Sequence, residues 1–340
     1  ISFNIMATEF TTKKLFGVID TKVYQEDKVQ PGYTMLHALD GDKVYWLDGG
    51  EIVYSVELPG PALVLRQDDD ERTIYGLVMG VPMEINSEGK DLIKSWDLLS
   101  NVRGLYPSPD GKFKTHFHHD VVKTKRDTYL TFIAVLTDVD NNIKDDVVIE
   151  FDHQGNVLWT HSLNTSLLGG EKNAYNVARG ENWIHANSID QFPDGDLLIS
   201  ARNLNKIVRI DYPTGNVLFE FGDSHLELQH HASIAKDRSH FTVFNNGYYR
   251  KQSSVTVIGR GGSVWMDKKL DFFSPVYGGV ERLDNDNWLV TDGKNGNIIE
   301  YDDNFNKVME INLKRTNFIS FLKNIKSDPK DHSFYRAHRV

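Results

Sequence analysis

One short ending recurs along the chain and limits what it can fold into. An apolar strand runs into an acidic residue, a turn holding Gly or Asn follows, and a second strand opens on a large apolar side chain. VIEFDHQGNVLW (148–159), IVRIDYPTGNVLF (207–219) and IIEYDDNFNKVME (298–310) are three copies. Similarity at a period of tens of residues marks an array of stacked units. Units made of strands and tight turns point to a β-propeller.

Strand-turn-strand units read at Lys43–Leu58, Thr73–Leu98, Thr128–Leu163, Trp183–Gly222, His240–Leu270 and Trp288–Leu313. Their turns fall at Asp48-Gly49-Gly50, Ser87-Glu88-Gly89, His153 to Asn156, Pro193-Asp194-Gly195 with Thr214-Gly215-Asn216, and Gly259 to Gly262. The expected fold is all-β, a six-bladed β-propeller forming one domain over residues 31–340, with residues 1–30 as an N-terminal extension. Inserts at 136–146 and 163–180 are expected on loops. The one helix expected is short, near Phe318 to Ile325, and Lys323 to His332 reads as loop.

The bulk properties narrow the function. A formal charge of -10 over 340 residues argues against a general nucleic-acid binder, which needs a basic face. The chain has no Cys, so disulfides and thiolate metal sites are ruled out. No apolar run reaches membrane-spanning length, and Ile1 to Phe10 does not read as an intact secretion signal. No Gly-rich phosphate loop followed by Lys and Ser/Thr is present, so no nucleotide cofactor is implied. The acidic run Asp68 to Glu71 reads as a solvated loop.

The 13 histidines are clustered: His116, His118 and His119 in THFHHDVV, His185 in IHANS, and His225, His230 and His231 in SHLELQHHAS. Each cluster lies before or at the start of a strand assigned to the inner part of a blade. Inner strands converge on one channel, so imidazoles distant in sequence would meet there with Asn187 and Arg202. Several imidazoles and a guanidinium form a donor array for an oxyanion. A neutral imidazole is also a nucleophile and general base near neutral pH. Together they suggest transfer or cleavage of an anionic group such as sulfate or phosphate. The plainer readings stand beside this one. His116, His225 and His240 read as surface residues, the HxHH run could ligate a metal, and Arg202 alone would read as an ion-pair residue. Trp183, Tyr248, Tyr249, Phe272, Phe273 and Tyr277 read mostly as packing, with some available to line an aryl pocket.

At these residues the sequence resembles the bacterial arylsulfate sulfotransferases, which use no nucleotide donor. The likeness is carried by PGYTMLHALDGDKVYWLDGGEIVYS (31–55), HHDVV (118–122), HANSIDQFPDGDLLISAR (185–202), and QHHA (229–232) followed by FNNG (244–247). The resemblance implies a six-bladed propeller that moves a sulfuryl group from an aryl sulfate to a phenol. It implies ping-pong kinetics through a sulfo-histidine, small-molecule substrates, no cofactor, and a setting in the periplasm or outside the cell. By motif the nucleophile falls on His230, with His231 as its rival. His185, Asn187 and Arg202 take the oxyanion and general-acid roles, and the last His falls on His119, with His118 as its rival. FNNG carries Asn245 where the family leads one to expect Asp. Two other classes stay open: a hydrolase or polysaccharide lyase using the same His/Arg site, and a non-catalytic propeller binding anionic glycans or a protein.

Overall fold

The structure, a computed structural model, describes residues 19–39, 41–68, 73–86, 89–112, 114–139, 143–168, 184–222, 224–313 and 335–340. Trp183, Ser87, Glu88, Asp69 to Glu71, most of the 163–180 insert and the Phe318 to Ile325 helix lie outside the described residues.

Six antiparallel sheets form the six blades of a propeller. Blade one is Thr34–His37, Lys43–Asp48 and Glu51–Glu57, and blade two is Ala62–Gln67, Ile74–Val78 and Val81–Ile85. Blade three is His116–Lys123, Tyr129–Asp138, Ile143–Phe151 and Val157–Ser162. Blade four is Ala186–Gln191, Leu197–Ala201, Lys206–Ile210 and Val217–Gly222. Blade five is His230–Ile234, His240–Asn245, Ser254–Gly259 and Val264–Lys269, and blade six is Gly279–Arg282, Trp288–Asp292, Asn297–Tyr301 and Lys307–Leu313. The first strand of blades two to six is the innermost one, and the first strands of successive blades touch from blade one through blade six. Middle strands such as Leu197–Ala201 and Ser254–Gly259 are buried throughout, because a blade packs on both faces. Outer strands such as Val217–Gly222 and Val264–Lys269 are half-buried or exposed.

The recurring ending has a local cause. Asp152 accepts hydrogen bonds from the backbone N–H and the Nδ2 of Asn156, both at 2.9 Å. Asp302 takes the same two from Asn306, at 2.8 and 2.9 Å. The Asp locks the hairpin by pairing with the residue just before the next strand. Gly49 and Gly50, at φ of +55° and +96°, make the two-residue turn of blade one in a conformation that favours Gly.

Blade two departs from expectation. Its hairpin turns at Met79-Gly80, and the strand expected to run on to Leu98 gives way to an α-helix, Ser95–Leu105. Leu98 and Val102, four apart on one helical face, are fully buried in the cluster that holds Val81 and Met83. The helix stands beside a three-stranded sheet where the other blades have a fourth strand. Asn101 Nδ2 ties it to the Gly155 carbonyl of blade three at 2.8 Å.

Two segments remote in sequence complete the ring. Ile19–Tyr24, within the stretch read as an N-terminal extension, pairs with Lys307–Leu313 as a fifth strand of blade six. His338–Arg339 pairs with Thr34 and Met35 on the inner side of blade one. Replacing Leu98 by Ala should cost about 2–5 kcal/mol of stability, the range for a fully buried Leu. Chemical denaturation checks this; a loss under about 0.5 kcal/mol would mean that the helix does not seal blade two.

Candidate active site

In blades two to six the inner strand has no further strand on its channel side, so the N–H groups on that edge need acceptors from elsewhere. The neighbouring blade supplies them as side chains. Asp146 takes the N–H of Ala186 at 2.6 Å and Asp120 that of Ile189 at 3.2 Å. Ser188 takes Ala232 at 2.9 Å, Asp190 takes Ile234 at 2.8 Å, and Nδ1 of His231 takes Val280 at 3.1 Å.

The inner strands also break register near these links, between His118 and Val121, Ala186 and Ser188, and His230 and Ala232. His119, His185 and His231 there have φ of +63°, +52° and +45°. A bulge re-aims the side chains around it, and non-Gly residues at positive φ mark places where function is sought. Here the bulges bring the histidine clusters together. The His119 ring lies 4.5 Å from that of His185 and 4.9 Å from that of His118. Tyr335 stands 6.1 Å from His119 and 6.2 Å from His230, so its ring joins the two groups. Arg202 opens the short turn Arg202–Leu204, its N–H on the His185 carbonyl at 3.2 Å.

Each side chain has a distinct setting. Nδ1 of His230 lies 2.7 Å from Oδ1 of Asn246. The Nδ2 of Asn246 donates to the carbonyls of Ser274 at 2.8 Å and Tyr277 at 2.9 Å. The amide orientation is thereby fixed, its oxygen can only accept, and His230 must carry its proton on Nδ1. Nε2 of neutral His230 is then an unprotonated lone pair. His231 has the opposite tautomer: Nδ1 accepts the Val280 N–H, so the proton sits on Nε2. Asn187 is fully buried; its Nδ2 donates to the Gln229 carbonyl at 2.8 Å and its own carbonyl accepts the Tyr335 hydroxyl at 2.7 Å. Nε2 of His118 lies 3.2 Å from Asp146 and its Nδ1 2.7 Å from Nδ1 of His119.

The electrostatics favour neutral imidazoles. Burial, then the Arg202 charge, lowers His185 to about 4. Burial first and then Arg202 hold His230 well below its ordinary value, and burial with the His185, His118 and His230 rings does the same to His119. Asp146 keeps its charge: burial raises its pKa, but His118 outweighs that.

Thus His118, His119, His185, Asn187, Arg202, His230 and His231 all face one region of the channel or brace it. His116 and His225 are exposed and His240 is half-buried against Ser239. Among the described residues no group of three or more His, Asp or Glu is arranged to hold a metal. Asn245 braces a loop, accepting from the Glu227 N–H and donating to the His225 carbonyl. Sequence reasoning missed four residues: Asn246, Asp146, Tyr335 and Arg336. Asn246 lies inside the FNNG segment, and Asp146 closes the 136–146 insert. Tyr335 and Arg336 carried no signal, because only the docking of 335–340 brings them in.

The sequence model of the arylsulfotransferase (ASST) family matches residues 21–227. The chain belongs to the arylsulfotransferase family. No curated protein matches this arylsulfotransferase-family chain. Among solved structures it is similar to a protein of unknown function from Bacteroides caccae, at 12% identity and TM-score 0.57, over 83% of this chain and 93% of that one. It is similar to a chain of a nidogen/laminin complex at 11% identity and TM-score 0.54, over 90% and 97%. A streptogramin B lyase matches at 13% identity and TM-score 0.46, over 89% of each chain. The first two likenesses are of fold. No helix among the described residues is long and apolar enough to cross a membrane.

Neutral buried histidines make stability depend on pH. His37, fully buried, and His185 both titrate at about 4 in the fold, lowered first by burial. Unfolded histidine titrates at about 6.5. The unfolded chain therefore binds protons first as pH falls, so stability is full above about 6.5 and is lost toward 4. Each such group should remove roughly 1.4 kcal/mol per pH unit in that window. Denaturation series at pH 7, 6 and 5 check this, and imidazole NMR titrations should place both midpoints near 4; midpoints near 6.5 would refute the burial argument.

Proposed function

We propose that this arylsulfotransferase-family chain moves a sulfuryl group from an aryl sulfate to a phenol, with His230 as the nucleophile. The observation that supports this best is the Asn246 clamp, which leaves Nε2 of His230 as a lone pair among neutral imidazoles and Arg202. His231 is disfavoured as nucleophile because its Nδ1 is committed to the Val280 N–H and its Nε2 carries the proton.

In the first half-reaction Nε2 of His230 attacks sulfur. The S–O bond to the aryl group breaks, with its electron pair leaving on the phenolate oxygen. The N–S bond leaves a sulfo-histidine whose Nδ1–H remains on Asn246. Arg202 balances charge on the sulfuryl oxygens, and a loose transition state places most of the catalysis in positioning and electrostatics. The departing phenolate needs a proton, and the Asp146–His118–His119 chain can deliver one. With His118 neutral, its Nε2 carries the proton 3.2 Å from Asp146 and its Nδ1 accepts from His119. With His118 protonated, Nδ1–H points to His119, whose Nε2 then carries a proton for the leaving oxygen. The second half-reaction reverses this: the chain accepts the proton of an acceptor phenol, its oxygen attacks sulfur, and the N–S bond breaks back onto His230.

Incubation with 4-nitrophenyl sulfate tests the proposal. Nitrophenolate release should depend on added phenol, and without phenol the intact protein should gain one SO3. His230→Ala should lower transfer by at least roughly 10³-fold and abolish the adduct. His231→Gln should still form the adduct; an adduct lost there and kept in His230→Ala would move the nucleophile. Asn246→Ala frees the tautomer of His230 and should slow sulfation by roughly 10²–10⁴-fold without unfolding the protein. A rate within about threefold of the parent would remove Asn246 from the mechanism.

A further inference from the structure

Beside the histidine cluster the channel holds a second group of cations for which sulfuryl transfer has no use. Arg66 comes from the inner strand of blade two and Arg336 from the segment 335–340. Both bind one carboxylate: Nη2 of Arg66 lies 3.0 and 3.2 Å from the two oxygens of Asp120, and Nη2 of Arg336 lies 3.1 Å from Oδ2. Burial raises the pKa of Asp120, yet the Arg336 and Arg66 charges outweigh it, so Asp120 is ionised. Within hydrogen-bonding distance, one carboxylate therefore serves two guanidiniums. The nearest other carboxylates are engaged by backbone, Asp190 by the Ile234 N–H and Glu281 by the Arg339 N–H.

Arg336 is 2% exposed, and its Nε and Nη1 are buried with no acceptor at hydrogen-bonding geometry among the described residues. Tyr335, whose ring lies 5.1 Å from the guanidinium, has its hydroxyl on the Asn187 carbonyl. His231 stands beside Arg336: a Cβ on Gly279 would come within 2.9 Å of His231 Nδ1 and 3.4 Å of Arg336 Cγ, so only Gly admits both. Nε2 of His231 is a donor, by the tautomer the Val280 N–H imposes. The His338 ring is 6.3 Å from His231, and its Nε2 is buried with no partner among the described residues. The Arg66 side chain keeps 21% of its exposure, so solvent reaches the group from that side. Buried guanidinium donors are as a rule partnered, and the two buried Arg336 nitrogens left without an acceptor suit an anion.

We propose that Arg336, His231 and Arg66 form a binding site for a small tetrahedral oxyanion of the sulfate or phosphate class, separate from the subsite for the transferring group. The anion satisfies the free nitrogens of Arg336 and neutralises the second guanidinium. It thereby fixes the segment that carries Tyr335 against His119 and His230.

Equilibrium dialysis of the full chain with radiolabelled inorganic sulfate tests this, with unlabelled phosphate and chloride as competitors. Arg336→Met should bind one sulfate fewer than the parent, whereas Arg202→Met should keep the site at Arg336. An equal stoichiometry in parent and Arg336→Met would overturn the proposal, whether or not the parent turns over aryl sulfates. Displacement by phosphate, equal to that by unlabelled sulfate, would assign the site to both ions, and displacement by equimolar chloride would overturn the oxyanion assignment. Should Arg336→Met fail to fold, parent crystals soaked in selenate decide the matter. An anomalous peak between Arg336 and His231 is expected, and its absence where selenate is seen elsewhere, or bound nowhere, would refute the site.

Discussion

The structure depends on how the inner edge of each blade disposes of its backbone donors. A propeller aligns six strand edges around one channel, and each edge carries N–H groups with no further strand to receive them. From blade three to blade six the answer is the same: a polar side chain of one blade reaches the N–H of a neighbour. Asp120 does this while also holding Arg66 and Arg336, so one carboxylate ties blades two, three and four to the segment 335–340. An inner-channel polar residue in such a fold is structural before it is chemical. His119, His185 and His230 are not used in this way by the neighbouring edges, whereas Asp146 and His231 are.

That division separates the twin histidines. His230 and His231 are adjacent and of one kind, and no property of the side chains distinguishes them. The bulge does. It points Nδ1 of His231 at the Val280 N–H and leaves His230 to Asn246, so the two rings hold opposite tautomers. The pair His118 and His119 divides in a similar way, one ring against Asp146 and the other at the centre of the cluster. Burial and the Arg202 charge then keep the central rings neutral, which suits nucleophiles and bases rather than fixed cations.

Much of this was legible in the sequence, for physical reasons. The Asp-x-x-x-Asn endings at 152–156 and 302–306 are local hydrogen-bonded turns, so they survive as a pattern, and six units could be counted from the strand-turn-strand stretches around them. The His, Asn and Arg clusters were legible because polar residues at strand starts stand out against apolar strands. What stayed hidden is non-local. The first strands of every blade but the third are short, between four and six residues, and give little alternation to detect. The helix Ser95–Leu105 rests on two buried residues four apart, a weak signal beside a strand-rich context. Nothing in the local sequence around Tyr335 and Arg336 says that they enter a channel built by residues 34 to 292.

The pairing of Ile19–Tyr24 with blade six and of His338–Arg339 with blade one has a consequence for synthesis. A chain emerging from the ribosome has every histidine of the channel cluster outside well before residue 335 is made. Until then the ring lacks Tyr335 and Arg336, and Asp120 faces only one guanidinium. The blades can form one at a time as they emerge, but the arrangement of imidazoles they share is assembled last. A partly made chain would carry the reactive groups without the geometry that makes them reactive.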